Sequence, residues 1–221
     1  MADTPSFSRK DLRSPDAFFE AAGRLNRYLG QNRRPVIVAA LTAAVLLVGG
    51  LATMGYVSAS KARDAAAFER ARSALETESF AAARIGLDNL AKDGGGIYGD
   101  LGAFYAAGLA LSEGRLEEAV SAYEAFEARA PTEYLRQAAI TSRGHALEQA
   151  ERAHEALAAY GRAGDIDGPY RRPALLAKAR LAESLAETDM ATEALERLLA
   201  LYPDGPDSSA LSARLSALSG G

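Results

Sequence analysis

The side chains that most often do chemistry are few in this sequence and are not grouped. His145 and His154 are the only histidines, and neither has a partner at the spacing typical of metal ligands. The chain has no cysteine, which excludes disulfides, thiolate metal sites and cysteine nucleophiles. We therefore expect both histidines to lie on helix surfaces, with no metal site.

Three short motifs resemble parts of known sites but lack their companions. Residues 165–168, DIDG, have no twelfth-position glutamate to close a calcium loop. Residues 58–61, SASK, have the serine–lysine spacing of penicillin-binding enzymes without their other motifs. Residues 93–96, DGGG, lack the lysine of a phosphate loop. The sequence predicts no enzyme, no catalytic residue and no cofactor.

The first structural element that the sequence predicts is a long run of residues without charge. Residues 36–57, VIVAALTAAVLLVGGLATMGYV, contain no charge and as a helix would be about 33 Å long, enough for a hydrocarbon core of about 30 Å. Basic residues flank this run and Tyr56 lies at its C-terminal end, as at a membrane interface. The pattern predicts one transmembrane helix from Val36 to Val57. The alternatives are a signal peptide cleaved after VSA, residues 57–59, and a buried helix of a soluble protein.

Charge on the two sides of the predicted span indicates its orientation. The 35 residues before it carry a net charge of +3, and those after Val57 carry −7. A short basic tail favours a cytoplasmic N-terminus and an exported C-terminal domain, although basic residues from Lys61 to Arg72 reduce the local difference. Residues 14–30 of the tail, SPDAFFEAAGRLNRYLG, predict a short amphipathic helix that contacts membrane lipid or a partner.

A repeat of 35 to 37 residues follows the predicted span. It is marked by four anchor alanines: Ala83, Ala119, Ala156 and Ala191. Four residues after each anchor comes a bulky apolar residue, and twelve after it a glycine or proline. Each anchor falls in the second helix of a predicted pair, and one such pair cannot bury its apolar face alone, whereas stacked pairs share a continuous core. The sequence predicts four stacked helix pairs and a capping helix at residues 207–218.

The period and content of these units resemble tetratricopeptide repeats. The small residue that the family has at its eighth position is matched by Ala71, Ala107, Gly144 and Ala179. The fourth-position aromatic is missing, the eleventh position is small, and the intervals exceed 34 residues. The resemblance covers residues 63–206 and implies an all-α fold: one N-terminal transmembrane helix, then an α-solenoid of about four degenerate tetratricopeptide-like helix pairs plus a capping helix.

In that family, partner peptides lie in a concave groove formed by the first helix of each pair. Carried over by position, the resemblance implies a protein-binding groove lined by Phe68, Arg72, Glu76, Phe104, Leu111, Ser112, Thr141, His145, Glu148, Gln149, Leu176, Arg180 and Glu183. Phe68 and Phe104 are the expected anchors because aromatic residues often dominate interface energies. The alternative is that these side chains pack between repeats.

The layout as a whole resembles the ancillary SecYEG translocon subunit (YfgM-like) family. That resemblance implies a single-pass protein of the bacterial inner membrane, with a cytoplasmic tail (1–35), a span (36–57) and a periplasmic repeat domain (58–221). Its function would be to link the protein-export translocon with periplasmic chaperones, without nucleic acid as a partner. The alternative function is that of a structural accessory subunit of another inner-membrane complex, held mainly through its transmembrane helix.

Overall fold

The computed structural model describes residue 23 and residues 33–219, and within these ranges the chain forms nine helices and no strand. The helices are α1 (Arg33–Glu76), α2 (Phe80–Asp93), α3 (Gly96–Ser112), α4 (Leu116–Arg129), α5 (Glu133–Gln149), α6 (Ala153–Asp165), α7 (Arg171–Ser184), α8 (Thr188–Leu201) and α9 (Ser208–Ser219). The chain divides into two compact units, Met1–Ala59 and Ser60–Gly221. The amphipathic helix predicted at residues 14–30 lies outside the described residues except for Gly23.

The apolar part of α1 is the candidate membrane span. By length and composition this helix can cross a membrane, and none of its most apolar window is buried. The side chains of Val45, Leu46 and Met54 are 70%, 71% and 73% exposed. The Thr53 hydroxyl donates to the carbonyl of Gly49 at 3.0 Å, so this polar group is satisfied inside the helix, as a lipid environment requires.

The repeat region, in the unit Ser60–Gly221, consists of four helix pairs: the last turns of α1 with α2, then α3 with α4, α5 with α6, and α7 with α8. The four anchor alanines lie on the second helices, and each is 0% exposed. The eighth-position residues on the first helices are buried as well. Small side chains at both places bring the two helices of a pair close together, and the predicted repeat is confirmed.

The turn within each pair has the same backbone conformation. Its second residue after the first helix has a positive φ: 57° at Glu78, 74° at Gly114, 59° at Glu151 and 58° at Ala186. These left-handed residues recur at the same intervals of 36, 37 and 35 residues as the anchor alanines. Only Gly114 is the residue type that adopts this conformation without steric cost.

A core runs between neighbouring pairs and ends at the capping helix. Leu87, on α2, packs with Leu109 of α3, and Phe126, on α4, packs with Ala139 of α5. At the C-terminal end, Leu211 of α9 is 3% exposed and packs against α7 and α8. This helix covers the apolar face that a further pair would otherwise cover, and the prediction of an α-solenoid with a capping helix is confirmed.

Buried Gln137 joins the third pair to the fourth. Its side chain, on α5, is 0% exposed. Its amide nitrogen donates to the carbonyls of Ala163 at 3.0 Å and Ile166 at 2.8 Å. Its amide oxygen accepts from the backbone N–H of Tyr170 at 3.2 Å. One side chain therefore satisfies backbone groups at the end of α6 and at the start of α7, which fixes the connection between the pairs.

Arginine side chains pair with acidic residues of the preceding repeat. Arg152 pairs with Glu117 at 2.9 Å, Arg162 with Glu127 at 2.7 Å, and Arg197 with Asp165 at 2.6 Å. Exposed pairs of this kind contribute only about 0–1 kcal/mol each. Their effect here is to favour one register between successive second helices rather than to add much stability.

Candidate protein-binding face

The first helices of the four pairs form one face of the repeat region, called here the first-helix face: residues 60–76 of α1, with α3, α5 and α7. Of the thirteen predicted groove residues, Arg72, Glu76, Ser112, His145, Gln149 and Arg180 are exposed. Phe104, Leu111, Glu148, Leu176 and Glu183 are half-buried, whereas Phe68 and Thr141 are buried. The binding role of this set stays a prediction.

The expected anchor at Phe68 needs correction. Its side chain is only 7% exposed, because two tyrosines of α3 cover it. The ring of Tyr105 packs edge-on against that of Phe68, with centroids 5.3 Å apart, and the Tyr98 ring lies at 6.2 Å. Phe68 therefore packs between α1 and α3. The tyrosines, rather than Phe68, present aromatic surface to solvent.

The side chains of Phe104 and Thr141 make their contacts inside their own helix pairs. The Phe104 ring lies edge-on to those of Tyr123, at 5.5 Å, and Phe126, at 5.6 Å. Thr141 is 5% exposed, and its hydroxyl donates to the carbonyl of Gln137 at 2.9 Å. These contacts lie within one helix pair and one helix, and they leave only part of the Phe104 ring accessible to a partner.

Three of the predicted residues meet around one tyrosine. The hydroxyl of Tyr160, on α6, donates to Glu148 Oε2 at 2.9 Å, and Arg180 of α7 donates to the same oxygen at 2.7 Å. The Tyr160 hydroxyl also lies 2.8 Å from His145 Nδ1. Because the hydroxyl proton is directed at Glu148, Nδ1 is the donor in this contact, and His145 Nε2 is left for solvent or a partner.

This polar quartet (His145, Glu148, Tyr160 and Arg180) shifts the pKa of its members. The bond from Arg180 chiefly lowers the pKa of Glu148. Burial of the His145 edge that faces Tyr160 lowers the pKa of His145, an effect that Glu148 opposes and Arg180 reinforces. Burial, and then the contact with Glu148, raises the pKa of Tyr160. Near neutral pH the quartet therefore holds a carboxylate, a guanidinium, a neutral imidazole and a neutral phenol.

Further charges on the first-helix face are paired within the chain. Arg72 lies 2.9 Å from Glu69 and 3.1 Å from Glu76, all on α1. Glu183 accepts two bonds from the guanidinium of Arg214, on the capping helix, at 2.9 and 3.1 Å. The face therefore presents mutually compensated charges rather than a strong field of one sign.

Four tyrosines that the groove prediction did not include also lie on this face. Tyr98, Tyr134 and Tyr170 recur at intervals of 36 residues at the start of successive first helices, and Tyr105 lies two turns after Tyr98. Tyr105 is 37% exposed and Tyr134 52%. The 36-residue interval is visible in the sequence, but Tyr98, Tyr134 and Tyr170 precede the part of the unit in which the family pattern places groove residues. Tyr105 lies within that part, between Phe104 and Leu111, at a position that the pattern does not include.

The described residues contain no group of side chains typical of a metal site, and the strongest polar cluster is the quartet. Within residues 41–219 there is no group of three or more histidine, cysteine, aspartate or glutamate residues that could hold a metal ion. The raised pKa of Tyr160 makes its hydroxyl a poor nucleophile. A cleft of about 670 Å³ between α1 and α2 is open to solvent and has Ala67, Ala71 and Leu90 among its lining residues.

Solved structures similar to this chain are tetratricopeptide-like repeat proteins. A Podosopora anserina protein described as a kinesin light chain with nearly identical TPR-like repeats has 19% identity and a TM-score of 0.56, covering 72% of this chain and 86% of that chain. A variant of it has the same identity and TM-score, with coverages of 72% and 85%. A tetratricopeptide repeat protein from Parabacteroides merdae has 15% identity and a TM-score of 0.58, covering 71% of this chain and 60% of that chain.

These likenesses define the fold class. The repeat region is a tetratricopeptide-like α-solenoid, a fold typical of extended surfaces for protein–protein interaction. No protein-family model and no curated protein matches the sequence. At these identities the likeness concerns the fold alone, and what the chain binds has to be argued from its own surface.

Proposed function

We propose that this protein is a membrane-tethered scaffold that binds other proteins through its first-helix face. The observation that carries the proposal is that eleven of the thirteen predicted groove residues remain exposed or half-buried after the repeats have packed. They include apolar Leu111 and Leu176 beside the polar quartet. A partner that covers them would bury apolar surface at about 25 cal/mol per Å² and meet fixed hydrogen-bonding groups.

The proposed setting is the bacterial inner membrane. The helix is inserted from residue 36 to residue 57 with the N-terminus in the cytoplasm, and the repeats lie in the periplasm. The difference in charge between the two flanks supports this orientation. Translocon subunits and periplasmic chaperones are the proposed partners, on the basis of the layout alone. Lipid contacts the span and the predicted juxtamembrane helix.

A second function deserves a test because of the composition of α1. Ala40 and Ala44 form a small-xxx-small pair in its sequence, a spacing that lets transmembrane helices approach closely. The chain would then be a structural subunit of another membrane complex, held mainly by its span. In that case the first-helix face contributes little to retention in the complex.

One experiment separates the two functions. The tagged full-length protein is extracted from its native membrane in mild detergent, and the co-purifying proteins are identified by mass spectrometry. A second form carries an unrelated span in place of residues 36–57. The scaffold proposal predicts that periplasmic partners co-purify with both forms. Loss of every partner with the exchanged span would instead support the structural-subunit function.

A further inference from the structure

Tyr98, Tyr105, Tyr134 and Tyr170, called here the tyrosine cluster, share one part of the first-helix face. Tyr98 and Tyr105 both pack on Phe68. The rings of Tyr134 and Tyr170 have centroids 5.6 Å apart and an angle of 52° between their planes. The polar contact with the Tyr134 hydroxyl chiefly raises the pKa of Tyr170 to about 12, and Tyr105 adds to this shift. Because Tyr98, Tyr134 and Tyr170 lie near the start of successive first helices in stacked repeats, these rings lie along the same edge of the first-helix face.

The rings are held in place before any partner arrives. Tyr105 lies edge-on between Phe68, at 5.3 Å, and Phe104, at 6.1 Å. Because these neighbours fix the ring, its conformational entropy has already been lost on folding, and binding to it costs little further ordering. Tyrosine has only two side-chain torsions and presents both an apolar face and a hydroxyl, which makes it an efficient contact residue.

Two arginines beside the cluster are paired within the chain. Arg136, two residues after Tyr134, pairs with Glu133, and Arg171, adjacent to Tyr170, lies 3.0 Å from Asp167. A strongly acidic or basic segment would meet compensated charges here and gain little. An uncharged segment therefore matches this surface better than a charged one.

We propose that the tyrosine cluster binds an uncharged, proline-rich segment of a partner protein in the polyproline II conformation; this inference rests on the proposed scaffold function. Such a segment has few backbone N–H groups and exposes its carbonyls, so it offers mainly acceptors. Tyrosine hydroxyls supply the matching donors, and their rings pack on pyrrolidine rings. Aromatic-lined grooves recognise this conformation because it is preformed and loses little entropy on binding.

The test is isothermal titration calorimetry of the full-length protein in detergent micelles with a decaproline peptide, compared with a glycine–serine peptide of the same length. Decaproline should bind, and the double variant Tyr105→Ala/Tyr134→Ala should weaken binding at least tenfold. The variant Tyr134→Phe/Tyr170→Phe keeps the rings and should weaken it about threefold through loss of the hydroxyl donors. The control Phe80→Ala removes an aromatic residue that is 44% exposed on a second helix and should leave binding unchanged.

Equal heat from both peptides, or decaproline binding that survives the double variant with its helicity intact, would overturn the inference. So would tighter binding of an acidic or basic peptide of equal length at the same tyrosines. These outcomes are distinct from failure of the scaffold function. If partners still co-purify from membranes but decaproline does not bind, the scaffold proposal stands. Only the inference of a proline-rich partner segment is then rejected.

Discussion

The ring of Tyr160 lies directly against the backbone of Gly144, so that a β-carbon added at residue 144 would be 2.5 Å from Tyr160 Cε1. Gly144 is the eighth-position residue of the third unit, and Tyr160 holds the polar quartet together from α6. The small residue at this repeat position therefore has a direct consequence for the candidate site. It sets how deeply Tyr160 packs, and thereby where Glu148 and His145 are held.

Gly144→Ala should destabilise the fold by about 1–3 kcal/mol because the added methyl group displaces a fully buried ring. The control is Gly161→Ala on α6, where the added carbon meets nothing within 4 Å. That control should gain about 0.5–1 kcal/mol from helix propensity. Urea unfolding followed by circular dichroism measures both. Equal effects of the two substitutions would contradict the close packing of Tyr160.

The left-handed turns predict a stabilising substitution. Ala186 has a φ of 58°, which is unfavourable for a residue with a β-carbon. Ala186→Gly should therefore raise the free energy of unfolding by about 0.5–1 kcal/mol, and Gly114→Ala, at the equivalent turn, should lower it by a similar amount. Thermal unfolding of the pair is the measurement. A destabilised Ala186→Gly variant would be inconsistent with the turn geometry.

Loss of the Gln137 side-chain amide should be among the more damaging polar substitutions. Gln137→Leu leaves two carbonyls and one N–H without their buried partner, at a cost of about 2–4 kcal/mol. Gln149→Leu, at an exposed position of the same helix, is the control and should change stability by less than about 0.5 kcal/mol. The measurement is the denaturant midpoint of each variant. Equal midpoints would contradict the role of the buried Gln137 amide.

The quartet predicts a pH dependence of stability. The pKa of His145 is lower in the folded chain than its ordinary value of about 6.5, so the unfolded chain binds the proton more readily. The contribution of the neutral imidazole is present in full above pH 6.5 and is lost as pH falls from about 6.5 through the folded-state pKa. The lowered pKa of Glu148 acts in the same direction at lower pH.

The measurement is the unfolding midpoint between pH 7.5 and 5. His145→Gln should reduce the fall of this midpoint between pH 6.5 and 5, whereas His154→Gln, which keeps His145, should not. A dependence that is identical in wild type and His145→Gln would exclude the imidazole as its source.

The helical repeat could be predicted because its signals are local. A 35- to 37-residue interval of alanines and the absence of charge across residues 36–57 are readable without knowing any tertiary contact. The anchor alanines are all 0% exposed, as the pattern required. The left-handed turns carried no such signal, since Glu151 and Ala186 are not residue types that indicate a positive φ.

The candidate site was less predictable because it depends on which side chain covers another. Phe68 has the position of a groove residue, yet Tyr98 and Tyr105 from the next pair bury it. The quartet joins residues that are up to 35 positions apart, on three helices. Such contacts depend on side-chain direction and on the distance between helices, and periodicity alone contains neither.

Site-specific photo-crosslinking in native membranes tests the central claim, that partners bind the first-helix face, most directly. A photoreactive phenylalanine is placed at exposed Ser112 or Gln149 on first helices, and at exposed Ala128 or Ala200 on second helices. The account predicts discrete crosslinked proteins from Ser112 and Gln149 and none from Ala128 and Ala200. Crosslinks only from the second helices, or only from positions within residues 36–57, would contradict it.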